Sequence, residues 1–213
     1  MTTEYITILA GNFLQPLVCA VESLVRNPRK GVSGKSNEIE LDWAFTAILL
    51  SMTMFESWMA WCKHHVPDRV PSSGQLEAFC KELHSMYKAA NLPDLTDAVT
   101  LRNAIAHNHR WTVEFDLDDG SKKVGMTLLA AGAGNKVKPM PVDQDGRVTP
   151  GGLRVVPTLI DRSEVRLVLR GLVETLVILR DEGVLEPAFL NHHAVWPGSG
   201  ERLTLIELPE RIG

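Results

Sequence analysis

Leu101-Arg102-Asn103-Ala104-Ile105-Ala106-His107-Asn108-His109-Arg110-Trp111 divides the chain. Before this stretch, apolar residues recur every three or four positions. Immediately after it they alternate every second position, so a helical body gives way to strand. The stretch itself gathers Arg102, Asn103, His107, His109 and Arg110 into nine residues at the end of a predicted helix. Ala104, Ile105 and Ala106 are small or apolar and pin the segment to a core, so its polar side chains project from a fixed surface. A fixed arginine with a fixed histidine is the minimum equipment for chemistry on a phosphodiester.

Towards the N-terminus the periodicity predicts four helices. The stretch ends the fourth, residues 94–109, capped by Asp94 or Thr96, with Ala98, Val99, Leu101, Ile105 and Ala106 facing inward. The third covers 74–90, capped by Ser73, with Leu76, Phe79, Cys80, Leu83, Met86 and Tyr87 as its inner face. The second, 39–64, is apolar on most sides (Ile39, Leu41, Trp43, Phe45, Ile48, Leu49, Met52, Phe55, Met59), as expected of a helix central in a bundle or at a subunit interface. Glu56 interrupts that apolar run. A carboxylate there needs a partner, and two readings stand side by side: a salt bridge or rim position, or a hydrogen bond from the polar cluster around Arg102. The first helix covers 3–26, with Pro16 expected to kink or divide it. The loop 28–37 carries Arg29, Lys30 and Lys35 and reads as a solvated connector, although such a loop is also able to follow a phosphate backbone. His64-His65 read as cations set against a helix C-terminus.

Towards the C-terminus, 111–158 read as a β-rich insertion. Residues 112–117 alternate, Asp118-Asp119-Gly120-Ser121 is a hairpin turn, Val124–Leu129 returns, 131–152 is rich in turns, and Leu153–Val156 is a further short strand. Asp161 or Ser163 caps a last long helix, 162–182, stopped by Gly183. Residues 186–213 are an irregular tail whose alternating Leu203–Leu208 is a candidate strand for joining the insertion. The expected fold class is therefore mainly α: residues 1–110 and 159–185 form one helical bundle, with a small β insertion between the motif helix and the last long helix.

Composition narrows the function. A formal charge of -4 over 213 residues excludes a protein that coats nucleic acid wholesale, so any RNA contact rests on a local patch. Cys19, Cys62 and Cys80 are odd in number and widely spaced, as reduced thiols of a cytoplasmic protein would be. There is no CxxC or HExxH pair, and His64-His65 and His192-His193 lack a second pair at ligand spacing, so no metal and no cofactor is expected. The N-terminus has no basic region of a signal peptide, and the longest apolar run, Ala44–Phe55, is too short to span a bilayer, so no membrane association is expected.

Arg102-Asn103-x-x-x-His107, late in a run of helices, resembles the Arg-polar-x-His signature of the HEPN superfamily (higher eukaryotes and prokaryotes nucleotide-binding). The resemblance covers residues 1–109 and 160–182. It implies a metal-independent endoribonuclease, a toxin or phage-defence effector that leaves a 2′,3′-cyclic phosphate on RNA. His107 would be the general acid or base at the ribose 2′-hydroxyl, a task suited to an ordinary histidine pKa. Arg102 would hold the scissile phosphate, and Asn103 would orient His107 or the phosphate. Glu56 would match an acidic residue often bonded to the signature, and His109 and Arg110 would support it. Four residues separate Arg102 from His107 and six separate it from His109, so either histidine fits the spacing. A branch of HEPN toxins carries, two residues after the histidine, a tyrosine that a nucleotidyltransferase antitoxin modifies; here that position is His109. The resemblance also implies an antitoxin or other partner protein. The alternative within the same fold is a catalytically inactive dimerisation, nucleotide-binding or partner-binding module.

Helix geometry adds one expectation. At about 100° per residue, Asn103 and His107 share a face about 40° apart, whereas Arg102 and His107 lie about 140° apart. Arg102 and His107 converge only if the arginine curls or if a second copy supplies the mate, which points to a homodimer with a composite site.

Overall fold

A computed structural model describes residues 10–27, 38–106, 110–115, 124–131, 137–142, 147, 152–155 and 159–213. In chain order its elements are α1 (Ala10–Arg26), α2 (Glu38–His65), α3 (Leu76–Met86), α4 (Thr96–Ala106), β1 (Arg110–Phe115), β2 (Val124–Ala131), β3 (Val137–Val142), α5 (Arg162–Asp181), β4 (His193–Val195), β5 (Arg202–Thr204) and α6 (Leu208–Arg211). The fold is mainly α, a helical bundle with small antiparallel sheets.

The core is built on α2, which packs on α1, α4 and α5. Three neighbours explain its broad apolar surface: Ala44, Ala47, Ile48, Met52, Phe55, Trp58 and Met59 are all buried, and they do not share one stripe. α1 contributes Leu14, Leu17, Val18, Val21 and Leu24 at spacings of three and four. α5 contributes Val165, Val168, Leu169, Leu172, Leu176 and Leu179. Met86, expected on an inner face, is instead about half exposed, as is Leu167 of α5. Pro16 neither ends nor divides α1 among the described residues. Its missing N–H removes a bond to the Asn12 carbonyl, and both residues are exposed, so that carbonyl is open to solvent.

The caps correct two expectations. Ser73 does not cap α3. Its hydroxyl donates to Glu82 Oε1 (2.5 Å), and the cap position is Gln75, which makes no side-chain cap bond. The third helix also ends at Met86, followed by a 3-10 turn closed by Asn91 in the left-handed region (φ 58°). At α4 the carboxylate of Asp94 accepts from the Thr96 N–H (2.9 Å) and hydroxyl (2.5 Å). Asp161 caps α5 in a full capping box with Glu164, and Gly183 closes the helix at φ 70°.

β1, β2 and β3 form a meander in that order. Trp111 pairs with Leu128, and Leu128 with Met140. β3 lies within the turn-rich stretch 131–152 and contains Pro139 and Pro141. Two residues apart, their missing N–H groups fall on one side of the strand, which an edge strand leaves unpaired. Of the expected strand 153–156, the described residues 153–155 hold only an isolated bridge, between Arg154 and Arg147, and Val156 lies outside the described residues. The tail corrects the remaining expectation. β5 pairs with β4 in a separate hairpin rather than with the insertion, and β4 packs on α1. A hairpin is a local closure and needs no distant edge.

Candidate functional site

α4 is held by Ala98, Val99, Leu101 and Ala104, all buried, and by packing on α2 and α3. That leaves Arg102 and Asn103 on its half-buried flank, facing α2. Arg102 Nη1 donates to Asn103 Oδ1 (3.0 Å), and Arg102 Nη2 lies 3.2 Å from Glu56 Oε1 and 3.4 Å from Oε2. The guanidinium is thus gripped from two sides, by its own helix and by α2. Its side chain is 25% exposed and that of Glu56 33%, so the pair sits at a rim in partial contact with solvent. Two of its five N–H donors are committed to these contacts.

The structure therefore brings together Arg102, Asn103 and Glu56. Asn103 turns its amide oxygen to the arginine. His107 and His109 lie outside the described residues, as does the loop 28–37. Arg110 opens β1, so the helical register of the motif does not extend to it.

A second feature adjoins this group. Between α2 and the start of α3 lies a cleft of about 260 Å³ lined by Glu56, Met59, Ala60, Lys63, Gly74, Leu76 and Phe79. Met59 and Phe79 are buried and make its floor. The Lys63 ammonium sits 4.4 Å from the Phe79 ring centroid and donates to the Ser73 carbonyl (2.5 Å). Lys63 did not stand out in the sequence. The signal was its position seven residues after Glu56, two turns along one face of α2.

Other candidate groups have structural partners. His65 stacks on Trp61 (4.2 Å between ring centroids), with Nδ1 3.1 Å from the Trp61 carbonyl. Burial pushes the Cys62 and Cys80 thiols up to about 12, so both are protonated at neutral pH and neither is a nucleophile. Among the described residues no group of three His, Cys, Asp or Glu is placed to hold a metal ion, and no helix is long and apolar enough to cross a membrane. Compared with protein families, curated proteins and solved structures, the chain gives no match.

Proposed function

We propose that this protein is a metal-independent endoribonuclease of the HEPN type, acting as a toxin or phage-defence effector. The observation that supports this reading is the Arg102 guanidinium, oriented by Asn103 and Glu56 five residues before His107. An arginine held in this way meets a phosphate without first losing side-chain freedom, and its remaining N–H groups suit two phosphate oxygens. In the proposed reaction His107, or His109 in its place, takes the proton of the ribose 2′-hydroxyl. The 2′-oxygen attacks the adjacent phosphorus, and the 5′-oxygen of the next nucleotide leaves with a proton. The product ends in a 2′,3′-cyclic phosphate. Two copies of the chain would supply the arginine and histidine of each cleft.

The test is cleavage of single-stranded RNA by purified protein in EDTA, with the new ends analysed chemically. Cyclic phosphate ends are expected, together with loss of at least about a hundredfold in rate for His107→Ala, the usual scale of a general acid or base. Cleavage that persists in both His107→Ala and His109→Ala sinks the assignment.

One observation favours the inactive alternative. The Glu56 carboxylate offsets the charge of Arg102, as a purely structural ion pair would. On that reading the protein dimerises or binds a partner, cuts no RNA, and dimerises unchanged with Arg102→Ala.

A further inference from the structure

The two edges of the β1-β2-β3 sheet are built differently. Along a strand of an antiparallel ladder, the N–H and C=O groups of successive residues turn alternately to one neighbour and to the other side. Pro139 and Pro141 have no N–H to give to β2, so their nitrogens face outward, and Met140 opposite Leu128 is a hydrogen-bonded pair. The alternation carries back through the unbroken registers: Thr127 and Leu129 of β2 bond β1 through Thr112 and Arg110. Trp111, Val113 and Phe115 therefore turn their N–H and C=O groups to the outer edge of β1. Among the described residues no strand pairs with that edge. The β3 edge is closed by its two prolines, whereas β1, Arg110–Phe115, contains no proline and keeps every donor. Such a row of alternating donors and acceptors fits one chemistry, the backbone of another strand.

We propose that this strand is β1 of a second copy, paired antiparallel about a two-fold axis through Thr112. In that register β1 is complementary to itself. Arg110 stands opposite the partner's Glu114, and Glu114 opposite the partner's Arg110. These are non-hydrogen-bonded pairs, the closer kind at about 4.5 Å between Cα atoms, where opposite charges stabilise and like charges repel. Trp111 stands opposite the partner's Val113, and such pairs exchange the outward N–H and C=O groups. On their face of the sheet they continue the apolar row of Met126, Leu128, Met140 and Val142. Other registers lose the match. An axis through Trp111 or Val113 sets one charge against Thr112 and carries the other past the end of the strand; an axis through Glu114 sets like charges together. The product is a single sheet, β3-β2-β1 joined to its copy, with prolines on both outer edges. Growth therefore stops at two copies. The pairing uses none of Arg102, Asn103 and Glu56, and it sets the two Arg110 Cα atoms about 14 Å apart along the strands. It is separate from the apposition of α4 copies that the ribonuclease reading calls for, and it stands without that reading.

The experiment is sedimentation velocity of the full chain over a range of concentrations, with charge variants that read the register. Wild type is expected to associate reversibly at high micromolar concentration. Arg110→Glu and Glu114→Arg each set like charges opposite one another twice, and each is expected to weaken association about tenfold. The variant carrying both changes matches the charges again in the reversed sense and is expected to recover wild-type association. Val113→Pro removes an outward N–H that β2 does not use and is expected to abolish the contact in a folded chain. Thr112→Cys, on the axis, is expected to form a reducible crosslink between copies under mild oxidation, which wild type with Cys19, Cys62 and Cys80 does not form. Thermal melts verify that each variant is folded. A wild-type chain that stays monomeric at high micromolar concentration overturns the proposal and leaves the edge to a strand of another protein. Wild-type association in both single charge variants places the contact elsewhere and overturns it too. So does a folded double variant that associates no more tightly than the singles.

Discussion

Arg102 has two kinds of partner, and they differ in what they contribute. Its bond to Asn103 is local and costs little ordering. Its contact with Glu56 crosses between helices, but both side chains are a quarter to a third exposed. Water and salt weaken such a pair, and its coupling should be at most about 1 kcal/mol. A double-mutant cycle with Glu56→Gln and Arg102→Gln, read by urea unfolding, is the measurement. Coupling of several kcal/mol would mean that the pair is a structural lock and would count against an exchangeable phosphate ligand. Under the ribonuclease reading, Glu56→Gln lowers cleavage by far more than its effect on stability explains.

At the scale of elements, α5 shows how its ends were encoded. Asp161, Ser163 and Glu164 stand before an apolar series in the order of a capping box. Burial pushes the Asp161 carboxyl up, but bonds from the Ser163 hydroxyl and N–H, with Arg154 beside them (3.0 Å), outweigh it and hold the group below its ordinary value of 3.8. A depressed carboxyl contributes stability that is fully present above its unfolded pKa and is lost as pH falls through the folded one. Asp161→Ala is therefore expected to cost about 1 kcal/mol or more at neutral pH, with the gap from wild type closing below pH 3.8. Urea titrations at several pH values measure it, and a gap independent of pH would contradict the account. α3 is the counter-case. Ser73 looks like a cap, yet its hydroxyl has a better partner in Glu82, a charge-assisted bond that no local pattern announces.

At the scale of the molecule, the C-terminal hairpin is clamped to α1. Glu22 is buried (4% exposed), accepts from the Gly198 N–H (2.6 Å) and pairs with Arg26 (2.7 Å). Gln15 reaches the same hairpin, donating to the Val195 carbonyl (2.9 Å) and accepting from its N–H (2.8 Å). A Cβ at Gly198 would collide with the Arg26 guanidinium and the Glu22 carboxylate. Arg26 is exposed and can move; the buried Glu22 cannot without losing its bonds. Gly198→Ala is thus expected to destabilise by about 1–3 kcal/mol, the range for forced overpacking, seen as a lower midpoint in thermal unfolding. An unchanged midpoint would show that the hairpin is free of α1 in solution. A second long-range tie joins Arg162 at the head of α5 to Glu40 (2.9 Å) and to the Asn27 carbonyl (2.8 Å), uniting three helices at one end.

The residues alone determined the helical body, because apolar spacing of three and four is a local property that any burial must satisfy. They also narrowed α2 to a central or interface helix and the cap of α5 to Asp161 or Ser163, and they placed the Gly183 stop and a change to strand after Trp111. Glu56 stood out because a carboxylate in an apolar run requires a partner. Which partner it took was decided by the packing of α4 on α2, a relation between residues 46 positions apart that no periodicity records. The same holds for the hairpin's separation from the insertion and for Pro139 and Pro141 within a strand, where position at an edge, not propensity, made the residues acceptable. Lys63 and the cleft it closes belong wholly to tertiary structure: α2 supplies the charges at fixed spacing, and only the arrival of α3 turns that spacing into an enclosure.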